Sequence, residues 1–185
     1  GVTYSASDKL CFNGSRLIET NDNLGNATKV YRTEIDQHLS VKQYNTLNSK
    51  AVTFEVHYKN NQVGYFGTTV NSQVFHPGAL GHISWLISRL EDASGENVID
   101  YSYSIYGLGE HLLDDIYYTG TQQVQGNRNV HFSYQANGDY RLSYLAGGKS
   151  ERTQKLYKIE TLYDAQPIRS YTLSFEQSQA TSRAL

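Results

Sequence analysis

The densest group of side chains able to hold a metal ion or move a proton is Glu110, His111, Asp114 and Asp115. Carboxylates and imidazole do ligate divalent cations. Their spacing, however, is not the H-E-x-x-H that sets two imidazoles on one helical face. The same carboxylates serve equally well as turn or capping residues, so a structural role is expected. Gly107 and Gly109 form a G-x-G with no third glycine and no helix after it, which makes no phosphate loop. Glu34 and Asp36 are a second carboxylate pair. On a strand, residues i and i+2 share one face about 7 Å apart; glycosidase carboxylates instead face each other across a cleft. Cys11 is the single cysteine, which excludes an intramolecular disulfide and a Cys-based zinc site. Between Leu10 and Phe12 it reads as a small buried or strand-paired thiol. The histidines, at 38, 57, 76, 82, 111 and 131, are scattered, and His57 and His131 fall in strand-like runs where packing is the default role. The expectation is a non-enzymatic chain with no catalytic residue, cofactor or metal.

The elements that would position these residues are strands. Residues 85–103 set the pattern: Trp85, Ile87, Arg89 and Glu91 alternate with Leu86, Ser88 and Leu90, and after a polar turn Ile99, Tyr101 and Tyr103 alternate with Val98, Asp100 and Ser102. Period two over this length predicts a half-buried β-hairpin, with Gly95 supplying turn freedom in 92–97 and Trp85 largely buried. Asn13-Gly14, between short apolar runs, specifies a two-residue type I′ turn. Residues 30–36 form a strand with Tyr31, Thr33 and Ile35 on one face; 52–59 and 63–67 pair about Asn60-Asn61; 75–81 is a loop. Residues 106–115 interrupt the sheet. Residues 130–134 and 140–144 form a hairpin about 135–139, and 156–163 and 168–176 form the last one about Asp164-Ala165-Gln166-Pro167. Helical periodicity is weak throughout.

Composition agrees. Of 185 residues, 16 are Tyr, only 2 are Pro, and Met is absent. Tyrosine favours strands and pairs an apolar ring with a wet tip, which suits a broad sheet with a face partly in water. The net charge of −2 offers no basic footprint for nucleic acid and no argument for a membrane surface. No apolar run approaches the roughly 18 residues of a spanning helix, and the first residues do not read as a signal peptide. One domain over residues 1–185, a segment of something longer, is expected.

Several of these stretches carry a resemblance. W-x-I-x-R-x-x-D followed by a Gly/Asn turn and Tyr-x-Tyr, at Trp85 to Tyr103, is similar to the N-terminal domain of the Salmonella virulence-plasmid B (SpvB) family, which includes the B component of insecticidal Tc toxin complexes and is akin to Rhs/YD-repeat shell proteins. The same order holds for the Asn13-Gly14 hairpin, the Y-R-T-E-I-D at Tyr31 to Asp36, the I-x-Y-T-G at Ile116 to Gly120, Arg169/Tyr171/Leu173 near the end, and the S-R-x-L of Ser182 to Leu185. Glu96, between Gly95 and Asn97, departs from the usual Gly-Asn turn.

The resemblance implies an all-β fold, a mainly antiparallel curved sheet built from successive hairpins as part of a β-shell or large open sheet. It implies a structural segment of a secreted toxin, with the remaining strands of the parent protein and other toxin-complex components as partners, and with no nucleic acid or membrane contact. The ADP-ribosyltransferase activity that SpvB itself carries in a separate domain has no counterpart in these residues. Trp85, Asn13, Gly14, Gly95, Tyr101 and Tyr103 carry structural roles in this reading. The alternative is an autonomous β-sandwich binding module, of carbohydrate-binding or adhesin type, using surface Tyr and Trp to stack on sugars.

Overall fold

The structure, a computed structural model, describes residues 2–5, 7–22, 25–45 and 52–176; the S-R-x-L tail lies outside them. Among the described residues, twelve strands form one antiparallel sheet in nearly sequential order. They are β1 (Cys11–Phe12), β2 (Ser15–Thr20), β3 (Lys29–Thr33), β4 (Ser40–Asn45), β5 (Val52–His57), β6 (Val63–Phe66), β9 (Ile87–Glu91), β10 (Asn97–Tyr106), β11 (Glu110–Thr121), β12 (Arg128–Leu145), β13 (Gly148–Tyr163) and β14 (Gln166–Thr172). The sheet is open, with β1 and β14 at its edges. It is one continuous ladder rather than two facing sheets, so the sandwich alternative does not describe it.

The core lies in the first half. Leu17, Tyr31, Leu39, Val41, Phe54 and Val56 form one buried cluster, with Leu10, Phe12, Tyr58, Phe66 and Trp85 packed on it. Tyr31, Val41, Val56 and Gly64 stand opposite one another across β3 to β6. Such directly opposed pairs are the units of sheet stability. Gly64 leaves room there for Phe66 and Tyr58, which a Cβ would meet at 3.0 and 3.3 Å. In the second half the strands are mostly half-buried, and β14 is exposed along its whole length.

Turn chemistry sets the hairpins. Asn13 and Gly14 both have positive φ, 46° and 77°, as a type I′ turn requires. In the 92–97 turn Gly95 takes φ 72° and donates its N–H to the Asp92 carbonyl. The Asp92 carboxylate accepts from the Ser94 hydroxyl and the Asn97 amide, and these bonds hold its pKa down to about 2. Glu96 is accommodated without loss of the hairpin, because Val98 still faces Glu91.

Four sequence expectations are corrected. Residues 106–115 do not interrupt the sheet: Tyr106 pairs with Glu110 around a three-residue turn in which Gly107 and Gly109 take positive φ, and β11 runs on from there. Residues 135–139 are not a turn. β12 continues through them, with residues 137–140 bulged opposite Thr153 alone. Asn137 there satisfies itself locally, accepting from the Asp139 N–H and donating to the Asp139 carbonyl, both at 3.1 Å. The real reversal is at Ala146-Gly147, where φ is 50° and 79°. The last turn is Asp164-Ala165 alone, and Pro167 lies within β14, an edge strand where its missing N–H is tolerated. Finally, Trp85 is not on the arm of the central hairpin. It belongs to β8 (Ser84–Trp85), which pairs only with β7 (Gln73–Val74).

β7 and β8 sit in an excursion between β6 and β9, residues 67–86, with a 3-10 turn at Val70–Ser72. This strap closes on itself, Gly67 N–H donating to the Leu86 carbonyl and Leu86 N–H to the Ser72 carbonyl, at 2.9 and 2.7 Å. It then reaches distant strands. Asn71 Nδ2 donates to the Tyr103 carbonyl on β10, and Lys149 N–H on β13 donates to the Pro77 carbonyl, both at 2.9 Å.

Candidate functional site

The sheet disperses the 110–115 cluster. The Glu110 carboxylate, nearly buried, accepts from the Thr153 N–H and hydroxyl at 2.7 and 2.8 Å. His111 Nδ1 donates to the Asn71 carbonyl on the strap at 2.8 Å. Asp114 and Asp115 join neither. Ser102 pairs with Asp115 but Tyr103 pairs with Leu113, so Asp114 is a bulge residue. A bulge re-aims side chains that would otherwise point to opposite faces, and here it brings both carboxylates to His131 on β12. One ligand atom from each of the three lies within 4.8 Å of the others.

The hydrogen bonds around this trio decide what it does. Asp115 Oδ1 accepts from Asn129 Nδ2 at 2.6 Å and meets His131 Nδ1 at 3.1 Å. Asp114 Oδ2 accepts from the Ser104 hydroxyl at 3.0 Å, and the Asp115 N–H donates to Ser102 Oγ at 3.1 Å. Protein donors from β10 and β12 thus reach both carboxylates. The network fastens three strands across the bulge, each carboxylate being bound to a neighbouring strand.

The other sequence-predicted residues stand apart. Glu34 and Asp36 lie beyond the end of β3, Glu34 4.0 Å from Arg16 and Asp36 2.9 Å from His38, all exposed. Cys11 pairs opposite Arg16 in β1 and is exposed, not buried. Trp85 is half-buried, its ring edge-on to Phe54 at 4.9 Å. Tyr103 donates its hydroxyl to the Ile87 carbonyl at 2.8 Å, and burial pushes its pKa up to about 12. Burial raises Tyr101 as well.

Among the described residues, β14 is one of the two edges of the sheet and has no strand on its outer side. Leu173 N–H donates to the Tyr157 carbonyl, which fixes the phase of the ladder. Ladder bonds alternate along an antiparallel strand. Arg169 and Tyr171 therefore turn their backbone groups toward β13, and Ser170 and Thr172 turn theirs outward, while Ile168 sits at a register break opposite Thr161 and Leu162. Beside them Ile168, Tyr171 and Tyr163 are exposed. A row of open N–H and C=O groups flanked by apolar side chains is a template for another strand.

The family described as Salmonella virulence plasmid 65kDa B protein (SpvB) matches residues 8–163. The chain belongs to the SpvB family. Its fold is that of the N-terminal domain of effector protein SpvB from Salmonella typhimurium strain LT2, with a TM-score of 0.85 at 14% identity, covering all of this chain and 82% of that one. It is also similar to a chain in the crystal structure of TcdB2-TccC3-Cdc42, with a TM-score of 0.81 at 12% identity; there it spans all of its own length but 13% of the other. No curated protein sequence matches it. At these identities the likeness is one of fold. Asn129 and His131 of the SpvB-family chain had no sequence signal tying them to Asp115, because strand register, not spacing along the chain, brings them together.

Proposed function

We propose that this SpvB-family chain is a non-enzymatic structural segment of a secreted toxin protein, and that it contributes strands to a β-shell enclosing a cytotoxic polypeptide. The observation that carries this reading is the edge at β14: among the described residues the twelve-strand ladder ends there, with backbone groups of Ser170 and Thr172 turned outward. A ladder built hairpin by hairpin extends by adding the next strand. The reading is supported by the likeness to one part of a far longer chain in the TcdB2-TccC3-Cdc42 structure. It is also supported by the polar clusters, whose Asp115 and Glu110 carboxylates are hydrogen-bonded to neighbouring strands.

Hydrogen exchange tests this. In the assembled parent protein the amides of Ser170 and Thr172 are expected to be protected, whereas in the isolated chain they exchange at rates typical of open edges. Fast exchange of these two amides in the assembly would remove the basis for the shell reading.

A further inference from the structure

The strap places one buried imidazole, His76, over the β11–β13 end of the sheet. His76 is only 5% exposed. Gly109 and Gly148 enclose it: a Cβ on Gly109 would come within 2.8 Å of its ring, and one on Gly148 within 2.6 Å of its Cβ. Both glycines belong to the strands that the strap crosses, at the β10–β11 turn and the start of β13. His76 Nδ1 is buried and has no hydrogen-bond partner among the described residues. The next residue, Pro77, accepts the Lys149 N–H, and Tyr4 Oη donates to the Ala146 carbonyl at the same hairpin tip at 2.7 Å. The β12–β13 tip is thus held against the strap at the place where the unpartnered nitrogen is buried.

The charged groups around His76 offer a proton no home. From β11 come Glu110 and His111, from β12 Arg141, and from β13 Lys149, Glu151 and Arg152. Glu110 is bound by Thr153, and Glu151 by Lys149 at 3.0 Å and by the Tyr140 hydroxyl at 2.7 Å. Arg141 and Arg152 stand directly opposite each other across the β12–β13 ladder. The cleft beneath the strap, about 520 Å³, holds two arginines and two glutamates, so its fixed charges cancel and it selects neither anion nor cation. An imidazolium at position 76 would be a buried cation facing occupied carboxylates, near His111.

We propose that His76 is a pH-sensitive latch: neutral, it holds the strap and the β12–β13 tip together, and protonation releases them. Burial first, then the neighbouring His111, keeps its pKa below the ordinary histidine value, and the Gly109 backbone opposes that only in part. A histidine with a depressed folded-state pKa leaves the closed state undisturbed above about pH 6.5, the ordinary value. Below it the open state takes up a proton that the closed state refuses, and closure weakens as pH falls until the folded-state pKa is passed. One proton gives at most about a tenfold change in the opening equilibrium per pH unit. The free-energy cost is confined to the strap contacts, because the Leu17–Val56 core has no histidine within it.

The latch is tested by hydrogen exchange of the full chain at pH 7.5, 6.5 and 5.5, read as protection factors that correct for intrinsic rates. The Lys149 amide, which is bonded to Pro77, should lose protection by up to about tenfold per pH unit below 6.5, while core amides of β4 and β5 keep theirs. In parallel, the His76 ring proton shift is followed by NMR, and its titration midpoint should coincide with the loss of protection. His76→Gln, which cannot be charged, should abolish the pH dependence; His111→Gln should keep it. Protection of Lys149 that does not change with pH, a pH dependence that survives His76→Gln, or an opening midpoint displaced from the His76 titration would each overturn the latch.

Discussion

Asn129 Nδ2 lies 2.6 Å from Asp115 Oδ1, and this bond ties β12 to β11 beside the bulge at Asp114. The Asp115 side chain is only 13% exposed. Removing its carboxylate leaves the Asn129 amide and the His131 ring without their acceptor. Asp115→Ala is expected to lower stability by about 1–3 kcal/mol, the usual cost of a buried polar group left unpaired. Asn129→Ala should cost less, because Asp115 keeps His131. Urea denaturation measures both. If the network is a strand clamp, zinc, calcium or EDTA leaves the wild-type midpoint where it was. A midpoint raised by several tenths molar on adding a divalent cation would make the trio a metal site instead.

Gly67 begins the strap with φ 71°, and a Cβ there would clash with Trp85 Cδ1. The indole cannot retreat freely, because Phe54 stands edge-on to it at 4.9 Å. Gly67→Ala therefore combines backbone strain with overpacking, and a loss of roughly 1–3 kcal/mol is expected. The near-UV dichroism of Trp85, the single tryptophan, should change with it. An unaltered signal at wild-type stability would mean that the strap is free to shift.

The two Asn-Gly pairs give a paired test. Gly14 has φ 77°, while Gly138 has no such requirement, and a Cβ at either meets nothing within 4 Å. Sterics being equal, only the backbone differs. Gly14→Val should cost about 1–2 kcal/mol, the price of a left-handed L-residue. Gly138→Val should fall within about 0.5 kcal/mol of wild type, as surface changes usually do. Thermal melts of the two variants decide between a turn and a bulge at each place.

That contrast marks what could be read in the sequence. Alternation and turn dipeptides located the strands and the Asn13-Gly14 hairpin, because both are local. Asn137-Gly138 carries the same dipeptide but closes on Asp139 within a continuing strand, and the true turn, Ala146-Gly147, forces alanine into a conformation that it disfavours. Pairing register outweighed local propensity there. Likewise Asp114 and Asp115 could be named from composition, but His131 and Asn129 could not, since they reach the cluster through β11–β12 pairing. The strap was legible only as a loop; its grip on β10, β11 and β13 depends on contacts remote in sequence.

The tyrosines predict an alkaline limit. Tyr44 and Tyr65 donate their hydroxyls to Glu55 and Glu91, and Tyr103 donates to a backbone carbonyl. Burial, with the carboxylates adding to it for the first two, raises each pKa to about 12. An acid whose folded-state pKa is raised contributes stability that is complete below the unfolded value near 10 and is lost as pH climbs through 12. Stability should hold to pH 10 and then fall, and the last portion of the tyrosinate absorbance at 295 nm should rise in step with unfolding. Tyr103→Phe should flatten part of that fall. Complete tyrosinate absorbance at pH 10 in the folded chain would contradict the burial of these rings.

The open edge can be probed with one residue type placed in two phases. Ser170 N–H faces away from β13, whereas Tyr171 N–H is directed into the ladder, opposite Ile159. Proline lacks the donor in either place. Ser170→Pro should leave the isolated chain within about 0.5 kcal/mol of wild type, since β14 is an edge where proline is tolerated. Tyr171→Pro should cost at least the roughly 1 kcal/mol of a ladder bond. If the parent protein adds a strand at β14, as proposed, the order reverses in meaning: Ser170→Pro then removes a bond to that strand and should impair assembly with little loss of monomer stability. Denaturation of the isolated variants, beside native gel analysis of the assembled protein, separates the two effects. If Ser170→Pro assembles as wild type does, the strand that follows in the shell is not hydrogen-bonded to β14.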